Sequence, residues 1–209
     1  MSALDSIIVW MKKPWVIALY AVFVVLIYLF VDRPLALYWH ALDLDSNLRA
    51  LKWFTRLGSW LVYLALFFVA ACHFRYVGKQ ADLEKKAWYL FLCVLIPNLV
   101  ASALKVSLSR ARPELLFANN QYGFYWFQFS DAYWSFPSGH AVTVGALATG
   151  VSVLLPRYCF ALYGLALAVA ASRVLLTNHY LSDVLAGFYL GILLVVLITP
   201  YFQRKKLLE

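Results

Sequence analysis

The sequence predicts an all-α polytopic membrane protein: one domain over residues 1–209, built as a bundle of six transmembrane helices with a short interfacial amphipathic helix. Three observations carry this. Hydrophobic residues make up 64% of the 209-residue chain and charged residues only 13%, far from the balance of an ordinary globular domain. Several apolar runs approach or exceed the about 20 residues that a helix needs to cross a bilayer. The charges fall in short connections between those runs, and six crossings use about 120 residues, which leaves no room for a second soluble domain.

Taken in order, Trp15 to Val31 is the first crossing, entered past Lys12, Lys13 and Pro14 and ended by Asp32, Arg33 and Pro34, where charge and proline both stop a helix. Residues 35–56 place Leu37, Leu44, Leu48, Leu51 and Phe54 at roughly helical spacing among Asp43, Asp45, Arg49 and Lys52, the pattern of a helix lying along the membrane surface. Leu57 to Phe74 is the second crossing and Ala87 to Leu108 the third, with Pro97 and Asn98 predicting a kink in the latter. Residues 109–136 form an outer loop too polar to span. Its rings, from Phe117 through Tyr122, Trp126 and Phe129 to Trp134, read equally as an interfacial flap or as ordinary aromatic belt packing. His140 to Leu155, Tyr158 to Leu176 and Val184 to Tyr201 are the last three crossings, and Gly145, Gly150, Gly187 and Gly191 offer small surfaces for close helix approach.

The net charge of +8 does not point to nucleic acid, because the basic residues lie in connections and not along one soluble face; anionic lipid headgroups are the expected partners. Cys72, Cys93 and Cys159 all fall in candidate membrane segments, so neither a disulfide nor a thiol metal site is expected. The first apolar run has no small-residue cleavage site behind it and is expected to stay as a helix. With the N-terminus inside, the inner segments hold ten basic residues (Lys12, Lys13, Arg75, Lys79, Lys85, Lys86, Arg157, Arg204, Lys205, Lys206). The outer face holds eight, of which Lys105, Arg112 and Arg173 belong to the motifs described next, leaving Arg33, Arg49, Lys52, Arg56 and Arg110, so both termini are expected to be cytoplasmic.

Polar groups interrupt this apolar chain at three places. Ser172 to Asp183 contains Ser172, Arg173, His179 and Asp183, and ionisable groups at the edge of a bilayer segment mark a site by default. His179 and Asp183 are spaced i, i+4, on one face of a helix that begins there, where the carboxylate can take one imidazole proton and leave the other nitrogen as a nucleophile or base. Lys105 with Arg112 and Pro113, and Pro137-Ser138-Gly139-His140, supply the complement. Lys105, Arg112 and Arg173 bring three cations, Ser138 a hydroxyl and Gly139 an amide near a helix start, which together suit a phosphoryl group. Lys105 and Arg112 share one face if the helix persists that far, and the proline after Arg112 turns that arginine into the loop. His40 and His73 lack acidic or histidine partners and read as structural; no metal-ligand cluster appears, so neither a metal nor a cofactor is expected.

The triplet Lys-x6-Arg-Pro, Pro-Ser-Gly-His and Ser-Arg-x5-His-x3-Asp, in order and complete over roughly residues 100–190, resembles the signature of the type-2 phosphatidic acid phosphatase family, which includes vanadium haloperoxidases and glucose-6-phosphatase. The resemblance implies a metal-independent lipid phosphatase of the bacterial inner (plasma) membrane. In it His179 attacks phosphorus to form a phosphohistidine, Asp183 stabilises the imidazolium, and His140 protonates the leaving oxygen and later activates water. The six-crossing topology puts all three motifs on the outer face. Water and a lipid alcohol are not distinguished as acceptors, so a phosphotransferase stays open, as does a six-helix transporter. The substrate also stays open among phosphatidylglycerophosphate, undecaprenyl pyrophosphate, phosphatidic acid and lipid A phosphate, and so does the oligomeric state.

Overall fold

A computed structural model describes residues 10–42, 49–205 and 208. In chain order its helices are α1 (Pro14–Phe30), α2 (Asp32–Ala41), α3 (Arg49–Thr55), α4 (Trp60–Tyr76), α5 (Ala81–Leu108), α6 (Pro113–Asn119), α7 (Gly139–Leu154), α8 (Cys159–Leu175) and α9 (Leu181–Arg204). Short 3-10 turns lie at Arg56–Gly58, Asp131–Tyr133 and Pro156–Tyr158, and extended pairing among the described residues is confined to a single bridge between Arg110 and Phe124.

By length and composition α5, α9 and the stretch from Pro156 through α8 can each cross a membrane. The number rises to five if the bent pairs α1–α2 (53°) and α3–α4 (49°) each count as one span. At 16 residues α7 is shorter, about 24 Å at 1.5 Å per residue. The chain is therefore an all-helical, multi-pass membrane protein. Its lipid-side surface is apolar: Leu19, Val22, Phe30, Val62 and Val69 are all more than half exposed, as suits helices bathed in acyl chains.

The bundle is organised around α7, whose short, mostly small residues bury nearly every face. Ala141, Val144 and Ala148 pack against Ala166, Val169 and Val174 of α8, and Ala146 joins Tyr89 and Cys93 of α5 and Val195 of α9 in a second cluster. Contact with α9 is backbone to backbone. A Cβ at Gly187 would sit 2.6 Å from the Ser138 carbonyl oxygen, one at Gly191 would overlap the Val142 carbonyl, and one at Gly145 would sit 2.6 Å from the Phe188 carbonyl. Gly150 instead faces a side chain of α5: a Cβ there would sit 3.1 Å from the Cys93 sulfur. In α5 the Pro97 ring is accepted without a break. The neighbouring Asn98, almost fully buried, donates to the Val94 carbonyl (2.9 Å) and accepts from Thr143 of α7 (3.1 Å).

Two expectations need correction. The first helix does end before Asp32, at Phe30, but the chain does not leave helix there: it bends at Val31 and continues as α2, because proline is tolerated in a first turn and Asp32 is buried on an internal partner. The segment 35–56 is accordingly not one surface helix but α2 and α3. Residues 43–48, which hold Asp43, Leu44, Asp45 and Leu48 of the amphipathic pattern, lie outside the described residues, as does Lys206.

Candidate active site

The C-terminal ends of α5 and α8 and the N-terminal ends of α7 and α9 meet at one end of the bundle, and this brings the three motifs together. The joins between them are specific. The Ser138 amide donates to the Asp183 carbonyl (3.0 Å), His179 Nδ1 lies 2.8 Å from the Ser135 carbonyl oxygen, and a Cβ at Gly139 would be 3.8 Å from Lys105 Cε.

A carbonyl oxygen only accepts, so His179 Nδ1 carries the proton and Nε2 keeps its lone pair. Asp183 is not the direct acceptor that the i, i+4 spacing led one to expect: its Oδ2 is 3.8 Å from Nδ1, too long for a hydrogen bond. That oxygen instead accepts from Ser135 Oγ (2.6 Å) and from the Tyr180 amide (2.9 Å), so the carboxylate both caps α9 and fixes the residue whose carbonyl orients the histidine. His179 lies in the turn between α8 and α9 and is buried. Desolvation, against the pull of the Asp183 carboxylate and aided by the Lys105 and Arg173 charges, holds its pKa down to about 3, so the ring is neutral.

Around this ring the donors gather. Lys105, Arg112 and Arg173 lie near enough for their charges to act on His140, which opens α7 and is half-buried. Lys105 Nζ donates to the Trp134 carbonyl (2.6 Å) and Arg173 to Thr55 Oγ1 (3.1 Å). Ser138 Oγ and the Nε atoms of Arg112 and Arg173 are buried with no hydrogen-bond partner among the described residues, an arrangement that costs free energy unless an anion takes up the donors. Ser138 occupies the N-cap position of α7, yet its hydroxyl makes no cap bond. Ser172 turns inward to the Val169 carbonyl (2.6 Å) and Pro113 opens α6.

Lys105 and Arg112 do not share a helix face. α5 ends at Leu108, Ser109 takes a left-handed conformation (φ 47°), and Arg112 is extended (φ −74°, ψ 161°) as the residue before Pro113 should be. The reversal at Ser109 aims Arg110 inward. Sequence reasoning missed this residue, counting it among outer charges, although it is fully buried. Its guanidinium donates to Asp183 Oδ1 (2.5 Å), Ser182 Oγ (2.7 Å), Asp32 Oδ2 (2.8 Å) and Tyr122 OH (3.3 Å). Burial works against that charge, but the two carboxylates outweigh it and raise the arginine above its ordinary range. Asp32, the presumed helix stop, completes the set by accepting from the amide and hydroxyl of Ser182. The outer loop is also more built than expected: it contains α6, and Tyr122 and Phe124 pack over Arg110, while Trp126, Phe127 and Phe129 face outward. Gly58 is a second missed residue; a Cβ there would meet the His140 ring at 2.6 Å.

Residues 86–207, which hold every motif residue and α6 through α9, match the PAP2 superfamily. The chain belongs to this superfamily. Among curated PAP2 relatives, a lipid A 1-phosphatase of Rhizobium johnstonii is 35% identical over 158 residues, 72% of this chain and 65% of that protein. A lipid A 1-phosphatase of Rhizobium etli is 34% identical, covering 64% of this chain and 61% of its own length. Phosphatidylglycerophosphatase B of Bacillus subtilis is 26% identical, covering 62% and 66%. The chain thus spans somewhat under two thirds of the two lipid A 1-phosphatases. A crystal structure of a transmembrane PAP2-type phosphatidylglycerolphosphate phosphatase from Bacillus subtilis aligns over 94% of this chain and 90% of that one, with 20% identity and a TM-score of 0.49.

Proposed function

We propose that this chain is an integral membrane lipid phosphatase that hydrolyses a phosphate ester or pyrophosphate of an anionic lipid through His179. The observation that carries the reading is one neutral imidazole, with Nε2 free, beside the buried Nε donors of Arg112 and Arg173 and the Ser138 hydroxyl, which have no hydrogen-bond partner among the described residues. Lys105, Arg112, Arg173, Ser138 and the Gly139 amide hold the phosphoryl oxygens. Nε2 forms the bond to phosphorus as the ester oxygen departs; His140 gives that oxygen a proton, then takes one from the water that releases phosphate and frees His179. Asp183 balances the transient imidazolium.

The relatives' names make the 1-phosphate of lipid A the first substrate to test and phosphatidylglycerophosphate the second. We read six crossings, with α7 and the two bent pairs each counted as one; this puts both termini on one side, and the basic bias of the connections at that end supports the cytoplasm as that side and the outer face of the bacterial inner membrane for the site. The outward aromatics Trp126, Phe127 and Phe129 then rest at the headgroup zone. The test is phosphate release in detergent from lipid A, phosphatidylglycerophosphate, phosphatidic acid and undecaprenyl pyrophosphate, with EDTA present, for wild type and His179→Ala. Turnover of at least one lipid by wild type and none by His179→Ala is expected. Retention of more than a few per cent of activity by the variant removes His179 from the nucleophile role, and transfer of phosphate to an added alcohol in place of water makes the enzyme a phosphotransferase.

A further inference from the structure

We propose that Arg110, held from behind by Asp32, is a positioning residue for His179, acting through Asp183 and Ser135 to set the tautomer and aim of the imidazole. The proposal rests on the histidine reading above and extends it to a residue of the first helical pair, since Asp32 lies outside the stretch that matches the superfamily.

The connections run in one line. Asp32 Oδ2 accepts from Arg110, Arg110 donates to Asp183 Oδ1 (2.5 Å), Asp183 Oδ2 accepts from Ser135 Oγ (2.6 Å), and the Ser135 carbonyl accepts from His179 Nδ1 (2.8 Å). With both its oxygens engaged and Oδ2 3.8 Å from the ring, Asp183 reaches the histidine only through its field and through Ser135. Arg110 thus fixes Oδ1 of Asp183 while the Tyr180 amide holds Oδ2, and Ser135 is held from two sides, its hydroxyl on Asp183 and its amide on the Arg110 carbonyl (3.0 Å). Without the arginine the Asp183 carboxylate loses the donors that fix Oδ1 and turns away from Ser135 Oγ, so the Ser135 carbonyl shifts and the ring loses its fixed acceptor.

Charge gives Asp32 its part. One guanidinium faces two carboxylates, so the ionised assembly carries one excess negative charge beside a ring that is neutral at rest and becomes an imidazolium when Nε2 bonds to phosphorus. The assembly is dry. Arg110, Asp32 and Asp183 have no exposed side-chain surface, and the rings of Tyr28, Tyr122, Phe124 and Tyr180 stand 4.2 to 5.6 Å from the guanidinium carbon, so the excess charge acts at low dielectric. A merely structural ion pair needs one carboxylate and no route to the catalytic ring; this one has two carboxylates and such a route.

Arg110→Lys and Asp32→Asn, in the full chain in detergent, test this together with wild type and His179→Ala. Asp32→Asn keeps the side-chain shape and serves if Arg110→Lys does not fold, with thermal unfolding and gel filtration establishing the fold. Nitrogen-15 NMR of histidine-labelled protein reads the tautomer of His179, assigned by the signal missing in His179→Ala. Wild type is expected to show the Nδ1–H form alone, and both variants a mixture. With this, kcat should fall about 10²-fold for Arg110→Lys and about tenfold for Asp32→Asn while KM stays within twofold, less than the about 10⁴-fold loss seen when a histidine loses its orienting carboxylate outright, because Asp183 itself is kept. Folded variants that keep the wild-type tautomer and kcat overturn the proposal, as does a parallel loss of kcat and folded fraction. If His179→Ala turns over lipid, the histidine reading fails by itself, and the tautomer measurement still decides whether Arg110 positions the ring.

Discussion

His179 owes its chemistry to burial. A histidine in water takes up a proton near 6.5; here the folded chain holds that value down to about 3, so between these limits the unfolded chain binds a proton that the native state does not. The native state therefore loses stability as pH falls through that window, and the loss is absent where the ring is neutral in both states. We expect wild type to lose more unfolding temperature between pH 7 and pH 4 than His179→Asn, whose other titrating groups are the same; an equal loss in both would show that the ring is protonated in the fold. The i, i+4 spacing of His179 and Asp183 was legible in the sequence, but the intervening Ser135 carbonyl was not, because nothing in local spacing says which loop will fill the gap. Arg110 and Asp32 were invisible as site residues for a related reason: an isolated charge next to an apolar run reads as a boundary until a partner 78 residues away is known.

Among the elements, α7 and α9 are held by glycines whose absent side chains let two backbones touch, and the same device places a 3-10 turn against His140. These positions separate stability from chemistry. Gly187→Val forces the α7–α9 backbones apart at Ser138 and is expected to destabilise by about 1 to 3 kcal/mol or more, as over-packed cores do. Gly58→Ala pushes on the His140 ring and Cβ, at 2.6 and 2.7 Å, so turnover should fall by about 10²-fold, the scale of a 1 Å misplacement, with a smaller change in unfolding temperature than Gly187→Val. Gly164→Ala, whose added methyl meets nothing within 4 Å, is the control and should stabilise α8 by up to about 1 kcal/mol. Full activity in Gly58→Ala would show that the turn yields in place of the histidine. The Gly-x3-Gly spacing of Gly187 and Gly191 was readable as a close approach, whereas Gly58 carries no pattern, since its neighbour lies far along the chain.

For the whole molecule the prediction concerns sidedness. The site lies at one end of the bundle, and Lys13, Arg75, Lys79, Lys85, Lys86, Arg157, Arg204 and Lys205 lie toward the other, the distribution expected when that other end faces the cytoplasm. Single cysteines at Asn120 and Lys79, both exposed, in a chain lacking Cys72, Cys93 and Cys159, should label oppositely with an impermeant maleimide in intact spheroplasts: Asn120 modified, Lys79 protected. Protection of Asn120 with labelling of Lys79 would turn the site to the cytoplasm and exclude outer-leaflet substrates while leaving the chemistry untouched.

Composition and apolar run length were enough to determine a helical membrane protein, because a bilayer offers the backbone few other ways to satisfy its hydrogen bonds. Three ordered motifs were enough to determine the candidate residues, because each is a local departure from apolar sequence that has to be explained. What only the tertiary structure decided are relations between distant segments. The chain bends at Val31 and Asp32 closes on Arg110, Asp183 reaches His179 through Ser135, and Gly58 makes room for His140. Each of these depends on which side chain meets which across the bundle, and periodicity along one chain carries no information on that.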